Sequence, residues 1–203
     1  MNPQFPSRDP AQLGPSERGL FLGLISGTSA DGIDAALVRF DDRGDASLAF
    51  GRTYPWDPAL RTQLVALGQQ NAPLSLDAFA ELDVRVARAF ADAANRAMAD
   101  SDTLPADVSA IGSHGQTLRH RPWGPYPFTL QLGDPGTIAE RTGVRVVADF
   151  RRRDIAAGGH GAPLLPGLHA ALLQSREESR AVLNLGGIAH LTLLSADPGR
   201  PGG

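Results

Sequence analysis

Three polar stretches of the sequence hold residues whose types and spacing are suited to chemistry. The first is SGTSADGID, residues 26–34, which lies between two apolar runs. Gly27 and Gly32 can adopt positive φ, which lets successive backbone N–H groups converge on an anion. Thr28 and Ser29 add hydroxyl donors for phosphate oxygens. This composition favours a phosphate-binding turn, and an ordinary β-hairpin, in which Asp-Gly is common, is the alternative.

The aspartates of this stretch indicate a metal ion. Asp31 and Asp34 cannot approach a phosphate without repulsion, but they can hold a hydrated Mg²⁺ that contacts it. The chain has no cysteine, so a thiolate metal site or a cysteine nucleophile is excluded. All 19 basic residues are arginine. A Walker A loop needs a lysine on the phosphates and is therefore excluded as well.

The second stretch is GSHGQT, residues 112–117, directly after a predicted strand. Polar residues beyond the end of an α/β strand commonly line a ligand crevice. His114 and Gln116 can hydrogen-bond a sugar or its carboxylate, and Thr117 can donate a hydroxyl group. A loop whose histidine only stabilises a turn is the alternative. A hydrolase using Ser113 and His114 is disfavoured, because adjacent side chains rarely point at each other and no Gly-x-Ser-x-Gly elbow is present.

The third stretch is ADFRRRDIAAGGHGAPL, residues 148–164, which also follows a predicted strand. Its charged residues are Asp149, Arg151, Arg152, Arg153 and Asp154. An arginine that points inward would bind an anionic substrate through paired hydrogen bonds, whereas three adjacent arginines can also form a solvated face. The glycines at 158, 159 and 161 would let the backbone approach a ligand.

Strand and helix patterns alternate along the chain and predict an α/β domain that positions these stretches. Strands are predicted at 19–26, 34–41, 46–55, 108–113, 128–133 and 144–150, and residues 114–127 are predicted as a loop. Helices are predicted after the N-caps Asp57 and Ser75, near Pro135, and over 162–175. A hairpin is predicted over 180–196, and its Gly186 and Gly187 either form a simple turn or approach a nucleotide.

Composition limits the classes of partner. The 203 residues are 42% hydrophobic, which supports a real core, and the net charge of −3 favours neither nucleic acid nor an anionic membrane. No apolar run is long enough to span a membrane. Residues 1–18 are rich in proline and polar residues and are predicted as a disordered tail. A soluble, cytoplasmic protein is expected.

Four motifs, SGTSADGID, IGSHGQT, ADFRRRDIAAGGHGAPL and NLGGIAHLTLL, together resemble the anhydro-N-acetylmuramic acid kinase family in order and spacing. The resemblance runs from about residue 19 to 196. It implies an actin-like, sugar-kinase-like ATPase domain of ribonuclease H-like topology, with a mixed sheet and flanking helices. It also implies ATP and Mg²⁺. The implied reaction opens the anhydro bridge of 1,6-anhydro-N-acetylmuramic acid with water and phosphorylates the freed 6-hydroxyl, giving N-acetylmuramic acid 6-phosphate during cell-wall recycling.

The same resemblance assigns roles to particular residues. The implied ATP-binding residues are Gly27, Thr28, Ser29, Ala30, Asp31, Gly32, Ile33 and Asp34. Thr117 and Arg152 match positions that bind the muramic sugar, and Arg152 would suit its lactyl carboxylate. The other implied sugar-site residues are Ser113, His114, Gln116, Asp149 and Asp154. Ala30, His160 and His190 depart from the residues usual in the family.

The family is about twice as long as this chain, and its general-base aspartate lies in a later Asp-x-Gly-Pro-Gly-Asn-like segment, which is expected beyond Gly203. The resemblance therefore assigns no catalytic residue within the chain. We expect residues 19–203 to be the N-terminal domain of such a kinase, inactive without a C-terminal domain. The face that would meet this domain would then be exposed and could promote aggregation or a homodimer. A non-catalytic module that binds phosphate or sugar is the alternative function.

Overall fold

The computed structural model describes residues 19–42, 44–70, 73–185 and 189–196. The strands are β1 (Gly19–Ser26), β2 (Ile33–Phe40), β3 (Ala46–Tyr54), β4 (Val108–Arg121), β5 (Phe128–Leu132), β6 (Val146–Ala148), β7 (Arg180–Asn184) and β8 (His190–Leu194). The helices are α1 (Pro58–Gln69), α2 (Leu76–Asp100), α3 (Pro135–Thr142), α4 (Arg152–Ala156) and α5 (Pro166–Leu173), with a 3₁₀ turn at Pro105–Asp107.

Some of the predictions fall on other parts of the chain. The predicted tail, the glycines Gly186 and Gly187, and the predicted end of the domain at Gly203 all lie outside the described residues. The described part of the domain therefore ends at Ala196. The expectation of a general-base aspartate beyond Gly203 concerns a segment outside this sequence and stays a prediction.

A six-stranded mixed sheet organises the fold. Its order is β3-β2-β1-β4-β5, and β6 also pairs with β4. The strand β1 runs antiparallel to β2 and parallel to β4. Alternate residues of β1, Leu20, Leu22 and Leu24, are buried, as a strand with one covered face requires. The prediction of a mixed sheet with flanking helices is confirmed.

The strand β4 changes partner halfway along one of its sides. Its residues 111–113 pair with the parallel strand β6, and its residues 116–121 pair with the antiparallel strand β5. The carboxyl ends of β5 and β6 therefore point toward the same short segment, His114 and Gly115. This segment has no partner on that side within the described sheet, which leaves a gap there.

Helices cover the buried face of the sheet. Leu64 of α1, Phe90 of α2 and Ile138 of α3 belong to the same hydrophobic core as β1. The helix α2 packs on this core with one apolar face, on which Leu82, Val86, Phe90, Ala93 and Ala97 are all buried.

Side chains satisfy the free N–H groups at the starts of these helices. Asp57 accepts from Leu60 N (2.9 Å) and Ser75 accepts from Ala78 N (3.1 Å), as the sequence predicts for N-caps. Arg119 of β4 caps the C-terminal end of α1, where its guanidinium donates to the Leu67 and Gln70 carbonyl oxygens. This arginine replaces the basic residue that the last turn of α1 lacks.

The prediction of a loop over 114–127 is wrong in its first part, because β4 continues to Arg121. A bulge accommodates the polar motif within the strand, and Gly115 adopts φ +72° there. A Cβ at Gly115 would overlap the Leu132 carbonyl oxygen. The GSHGQT stretch therefore lies within strand β4 and not in a loop after its end.

The helix predicted over 162–175 is confirmed only over Pro166–Leu173, as α5. Two further differences from the prediction concern β6 and the segment that follows it. The strand predicted over 144–150 is only three residues long as β6, because Asp149 turns the chain with φ +60°. The short helix α4 follows at once and was not predicted. Both differences lie beside the gap in the sheet.

The C-terminal part of the described chain forms a smaller layer. The predicted hairpin strands are confirmed as β7 and β8, which pair with each other as a separate two-stranded sheet. His169 of α5 hydrogen-bonds Thr192 of β8 at 3.0 Å. Many apolar side chains here are exposed, including Leu165, Leu168, Leu172, Leu183, Leu191 and Leu193. Within the described ranges, no helix is both long and apolar enough to cross a membrane.

Candidate active site

A cleft of about 270 Å³ opens at the gap beside β4. Its walls come from the bulge of β4, the carboxyl ends of β5 and β6, and the helices α2, α3 and α4. The lining residues are Asp83, Ser113, His114, Gly115, Gln131, Leu132, Gly133, Asp134, Pro135, Ala148, Asp149 and Arg152. Ligands commonly bind outside the carboxyl ends of strands in α/β sheets, so this cleft is the candidate active site.

Four of the seven predicted sugar-site residues line the cleft. These are Ser113, His114, Asp149 and Arg152. They come from two motifs, and the pairing of β6 with β4 brings those motifs together: Ser113 is opposite Ala148, one residue before Asp149. The sequence motifs thus converge although more than thirty residues separate them.

The other three predicted residues lie behind the cleft. Gln116 donates its amide N–H to the Gly27 carbonyl oxygen at 3.0 Å. Thr117 accepts a hydrogen bond from Gln131, which does line the cleft, at 3.1 Å. Asp154 accepts from the Gly161 N–H at 2.6 Å and so shapes the glycine-rich loop after α4.

His114 has a hydrogen bond at each ring nitrogen. Its Nε2 accepts from the Arg151 Nε–H at 2.8 Å, and its Nδ1 lies 2.9 Å from the Gly115 carbonyl oxygen. Only a neutral ring protonated on Nδ1 satisfies both contacts. Burial lowers the pKa of His114, and the adjacent Arg151 guanidinium lowers it further, which favours this neutral form.

This arrangement disfavours a hydrolase built on Ser113 and His114. The Ser113 hydroxyl is buried (1% residue exposure) and has no hydrogen-bond partner within the described residues. Both nitrogens of the neighbouring imidazole are occupied by Arg151 and Gly115. A histidine base must hydrogen-bond the nucleophile that it activates, and His114 does not.

Arg152 and Asp149 face each other at the rim of the cleft. The Arg152 Nε lies 3.6 Å from Asp149 Oδ1, and both side chains are about half exposed. An exposed ion pair of this length contributes little energy. The Arg152 guanidinium can therefore exchange this contact for an anionic ligand at small cost.

The turn between β1 and β2 carries the predicted phosphate-binding residues. Thr28 and Ser29 are exposed, and the Ala30 N–H closes the turn on the Gly27 carbonyl oxygen at 3.0 Å. Gly27 and Gly32 do not adopt the positive φ considered for them from the sequence. Ala30 does instead: it is buried with φ +51°, an uncommon conformation for a residue with a side chain. Gly32 fits tightly, because a Cβ there would overlap the Thr53 side chain.

The two predicted metal-binding aspartates have different neighbours. Asp31 lies 3.3 Å from the Arg61 guanidinium of α1, and Asp34 accepts a hydrogen bond from Thr53 of β3. A hydrogen bond from Ser29, aided by Arg61, lowers the pKa of Asp31. The described part of the chain holds no group of three or more histidine or carboxylate side chains arranged for a metal. Any ion here would rely on water and phosphate oxygens for most of its ligands.

Two buried polar atoms fit a role for ligand or water near these motifs. They are Ser113 Oγ, on the cleft side of β4, and Gln116 Oε1, whose amide group also contacts Gly27. Neither has a hydrogen-bond partner within the described ranges. A buried polar atom without a partner costs free energy, so such atoms often mark places where a ligand or water supplies the missing bond.

Three polar side chains of the cleft were not identified as site residues from the sequence. Asp83 of α2 accepts from the Gly133 N–H at 2.6 Å. Asp134 is the N-cap of α3, and the hydrogen bonds from Thr137 lower its pKa. Gln131 contacts Thr117. The Asp134-Pro135 pair after a strand was a usable signal, whereas Asp83 and Gln131 carried none.

Comparisons with known proteins agree with the motifs. The family model described as "AnmK: Anhydro-N-acetylmuramic acid kinase" matches residues 19–202. A protein named anhydro-N-acetylmuramic acid kinase from Xanthomonas campestris pv. campestris (strain 8004) is 56% identical over 180 residues, 88% of this chain and 48% of the relative. Proteins of the same name from Xylella fastidiosa (strain Temecula1) and Coxiella burnetii (strain Dugway 5J108-111) are 56% and 48% identical, each aligned over 48% of its length and over 89% and 91% of this chain. The chain spans about half the length of the curated relatives it matches.

Proposed function

The chain belongs to the anhydro-N-acetylmuramic acid kinase family, and we propose that it binds 1,6-anhydro-N-acetylmuramic acid in the cleft and the ATP phosphates at the turn between β1 and β2. The observation that carries the proposal is the hydrogen bond from Gln116 to Gly27. It joins the phosphate turn to the strand whose bulge forms the cleft floor. A kinase needs its sugar and nucleotide sites side by side, and this contact supports that arrangement.

On the sugar side, Arg152 would bind the lactyl carboxylate in exchange for its weak pair with Asp149. Asp83 and Asp134 line the same cleft and present carboxylate oxygens, which can accept from sugar hydroxyls. Each of these aspartates also accepts a backbone N–H, so its orientation is fixed before the sugar arrives. The cleft is thus suited to a polyhydroxylated ligand with one anionic group.

On the nucleotide side, Thr28 and Ser29 would donate hydroxyl hydrogen bonds to phosphate oxygens. Asp31 and Asp34 would hold Mg²⁺ through water, which fits their exposure and their separate neighbours. When bound, ATP would supply the phosphoryl group that is transferred, leaving ADP, and Mg²⁺ would offset the charge of its phosphate oxygens. The backbone of residues 27–32 fixes these donors because Gln116, Arg61 and the bond from Ala30 to Gly27 hold the turn in place.

We further propose that a C-terminal domain, as in the relatives of about twice this length, supplies the adenosine contacts and the general base expected beyond Gly203. The exposed leucines of α5, β7 and β8 would pack against it, since a patch of apolar side chains in water usually marks an interface. Without that domain the chain would bind sugar but not turn it over. The alternative function, a non-catalytic binding module, is distinguished by the following experiment.

The test compares the 203-residue chain alone with the chain supplemented by the C-terminal half of the Xanthomonas campestris relative. Both are given 1,6-anhydro-N-acetylmuramic acid, ATP and Mg²⁺ in ¹⁸O-labelled water. Sugar phosphate carrying one labelled oxygen at its anomeric carbon is expected only in the supplemented reaction, because water opens the bridge and ATP phosphorylates the 6-oxygen. Binding without product in both reactions would identify a binding module. The absence of both binding and product would overturn the proposal.

A further inference from the structure

Arg151 occupies a different position from its neighbours Asp149 and Arg152. Those two residues line the cleft, whereas the Arg151 side chain turns behind it and is partly buried. Its Nε–H donates to His114 Nε2 at 2.8 Å, and one terminal nitrogen donates to the Gly161 carbonyl oxygen. A single side chain therefore bridges the bulge of β4 and the glycine-rich loop after α4.

The contact with His114 selects one form of the imidazole. Because Nε2 accepts a hydrogen bond from Arg151, the proton of the neutral ring must be on Nδ1. That proton is donated at 2.9 Å to the carbonyl oxygen of Gly115, the residue with φ +72°. Arg151 thus fixes both the tautomer and the orientation of a ring that forms part of the cleft wall.

The contact with Gly161 fixes the glycine-rich loop. The Gly161 carbonyl oxygen accepts from Arg151, and its N–H donates to Asp154 Oδ2 at 2.6 Å. The preceding residue, His160, contacts the 70% exposed Trp123, with ring centroids 3.9 Å apart and ring planes tilted by 48°. Trp123 lies between β4 and β5. Arg151, Asp154 and Trp123 therefore all contact the glycine-rich loop at residues 160 and 161.

The charge of Arg151 is not neutralised by a carboxylate. Both acceptors named above are uncharged, and within the described ranges no aspartate or glutamate forms an ion pair with this guanidinium. Desolvation alone lowers the pKa of Arg151. A partly buried cation of this kind is stabilised by an anion in the adjacent cleft, which reinforces the direct contact expected from Arg152.

We propose that Arg151 is a positioning residue of the candidate active site. It holds His114 as the Nδ1–H tautomer, ties the glycine-rich loop to β4, and places an unpaired positive charge behind the sugar. The effect on sugar binding rests on the proposed function, whereas the effect on His114 does not. Arg152 remains the residue that contacts the ligand.

The first measurement is made on the ligand-free, ¹⁵N-labelled 203-residue chain. Long-range ¹H–¹⁵N correlation spectra distinguish Nδ1–H from Nε2–H imidazoles. We expect His114 to be an Nδ1–H ring in the natural chain and in the control variant Arg153→Gln, which alters an exposed arginine of α4. In Arg151→Gln the Nε2–H form, the commoner form of a free imidazole, should become populated. An unchanged His114 pattern in Arg151→Gln would overturn the proposal.

The second measurement is calorimetric binding of 1,6-anhydro-N-acetylmuramic acid to the same proteins. Arg151→Gln should weaken binding at least tenfold, and Arg153→Gln should not. A changed tautomer with unchanged affinity would overturn the positioning role. If the natural chain shows the Nδ1–H ring but binds no sugar, the proposed ligand is wrong and the link between Arg151 and His114 still holds.

A conservative variant covers the case in which Arg151→Gln does not fold. Arg151→Lys keeps the charge but presents one donor group in place of the planar pair, so it cannot serve His114 and Gly161 with the same geometry. It should show a mixture of tautomers and an intermediate affinity. Full Nδ1–H character together with natural affinity in this variant would overturn the proposal.

Discussion

The side-chain amide of Gln116 donates a 3.0 Å hydrogen bond to the carbonyl oxygen of Gly27, which lies 89 residues earlier in the chain. Gln116 is 3% exposed, and its other amide atom, Oε1, has no partner within the described residues. This bond connects the turn that carries the hydroxyl groups with the strand that carries the bulge. The Gln116 amide group therefore joins the proposed phosphate turn directly to the strand that forms the cleft.

The first prediction concerns this amide. Gln116→Leu should lower the free energy of unfolding by about 1 kcal/mol, because it removes the hydrogen bond to Gly27 and a longer one to the Thr117 carbonyl oxygen while keeping most of the packing. Gln116→Glu should cost more at neutral pH, because its buried carboxylate cannot donate to Gly27 and is not paired. Urea denaturation measures both variants. The difference between them should shrink at about pH 5, where a buried glutamate is protonated. Equal stability of the two variants at neutral pH would contradict this reasoning.

The second prediction compares two glycines of the same turn. Gly32→Ala should destabilise the chain by about 2 kcal/mol, because its Cβ would overlap the Thr53 side chain and lie 3.1 Å from the Tyr54 carbonyl oxygen. Gly27→Ala is the matched control, since its Cβ would meet only Ser29 Oγ at an ordinary 3.8 Å. Thermal denaturation of the two variants checks the prediction. A Gly27→Ala variant as unstable as Gly32→Ala would show that the close approach at Thr53 is not the cause.

The third prediction concerns the anionic group of the sugar. Arg152→Gln should weaken binding of 1,6-anhydro-N-acetylmuramic acid at least tenfold, about 1.4 kcal/mol, because a charged pair with a carboxylate is lost. The matched ligand is the anhydro sugar without the lactyl group, whose binding should change little. Calorimetry with both ligands gives the comparison. Equal losses for both ligands would assign Arg152 to another part of the sugar.

The fourth prediction concerns pH and His114. Its pKa in the folded chain is below the ordinary value of 6.5, so at intermediate pH the unfolded chain binds more protons than the folded one. Stability from this group is therefore complete above pH 6.5 and decreases as the pH falls toward the folded pKa. Urea denaturation between about pH 8 and pH 5 should show this slope, and His114→Gln should reduce it.

A matched control separates this slope from other titrations. The pKa of His120 is also lowered, but its ring is less buried, so His120→Gln should reduce the slope less than His114→Gln. The lowered pKa values of Asp100 and Asp134 affect stability only as the pH falls through and below 3.8, their ordinary value. An identical dependence of the unfolding free energy on pH in the natural chain and in His114→Gln would show that His114 does not cause it.

Much of the fold was predictable because local signals act through local physics. Asp57 and Ser75 are polar N-caps, and Gly143 ends α3 with φ +69°, so these three helix boundaries have a local cause in the sequence. The course of β4 was not predictable in this way. The glycines and polar residues of GSHGQT are typical of a loop, and only pairing with β1 and β5 keeps that segment in the sheet.

The motifs of the candidate site could be predicted from the sequence, but several of the residues that line its cleft could not. Ser113 and Arg152 belong to motifs with recognisable chemistry. Asp83 lies on a helix whose pattern indicates packing alone, and it reaches the cleft only because α2 crosses the sheet next to Gly133. The different roles of Arg151 and Arg152 could not be predicted either. The two residues are adjacent and of the same type, and only the backbone conformation directs one to His114 and the other to Asp149.

The parallel pairing of β1 with β4 has a kinetic consequence. The antiparallel strands β1, β2 and β3 are neighbours in sequence, so they can meet through short loops. The pairing of β1 with β4, for example Leu20 with Val108, must instead close a long loop that contains α1 and α2. Closing long loops is entropically costly and slows folding. We therefore expect the three-strand meander to form before β4 docks, and the cleft, which needs the bulge of β4, to be acquired late on the folding pathway.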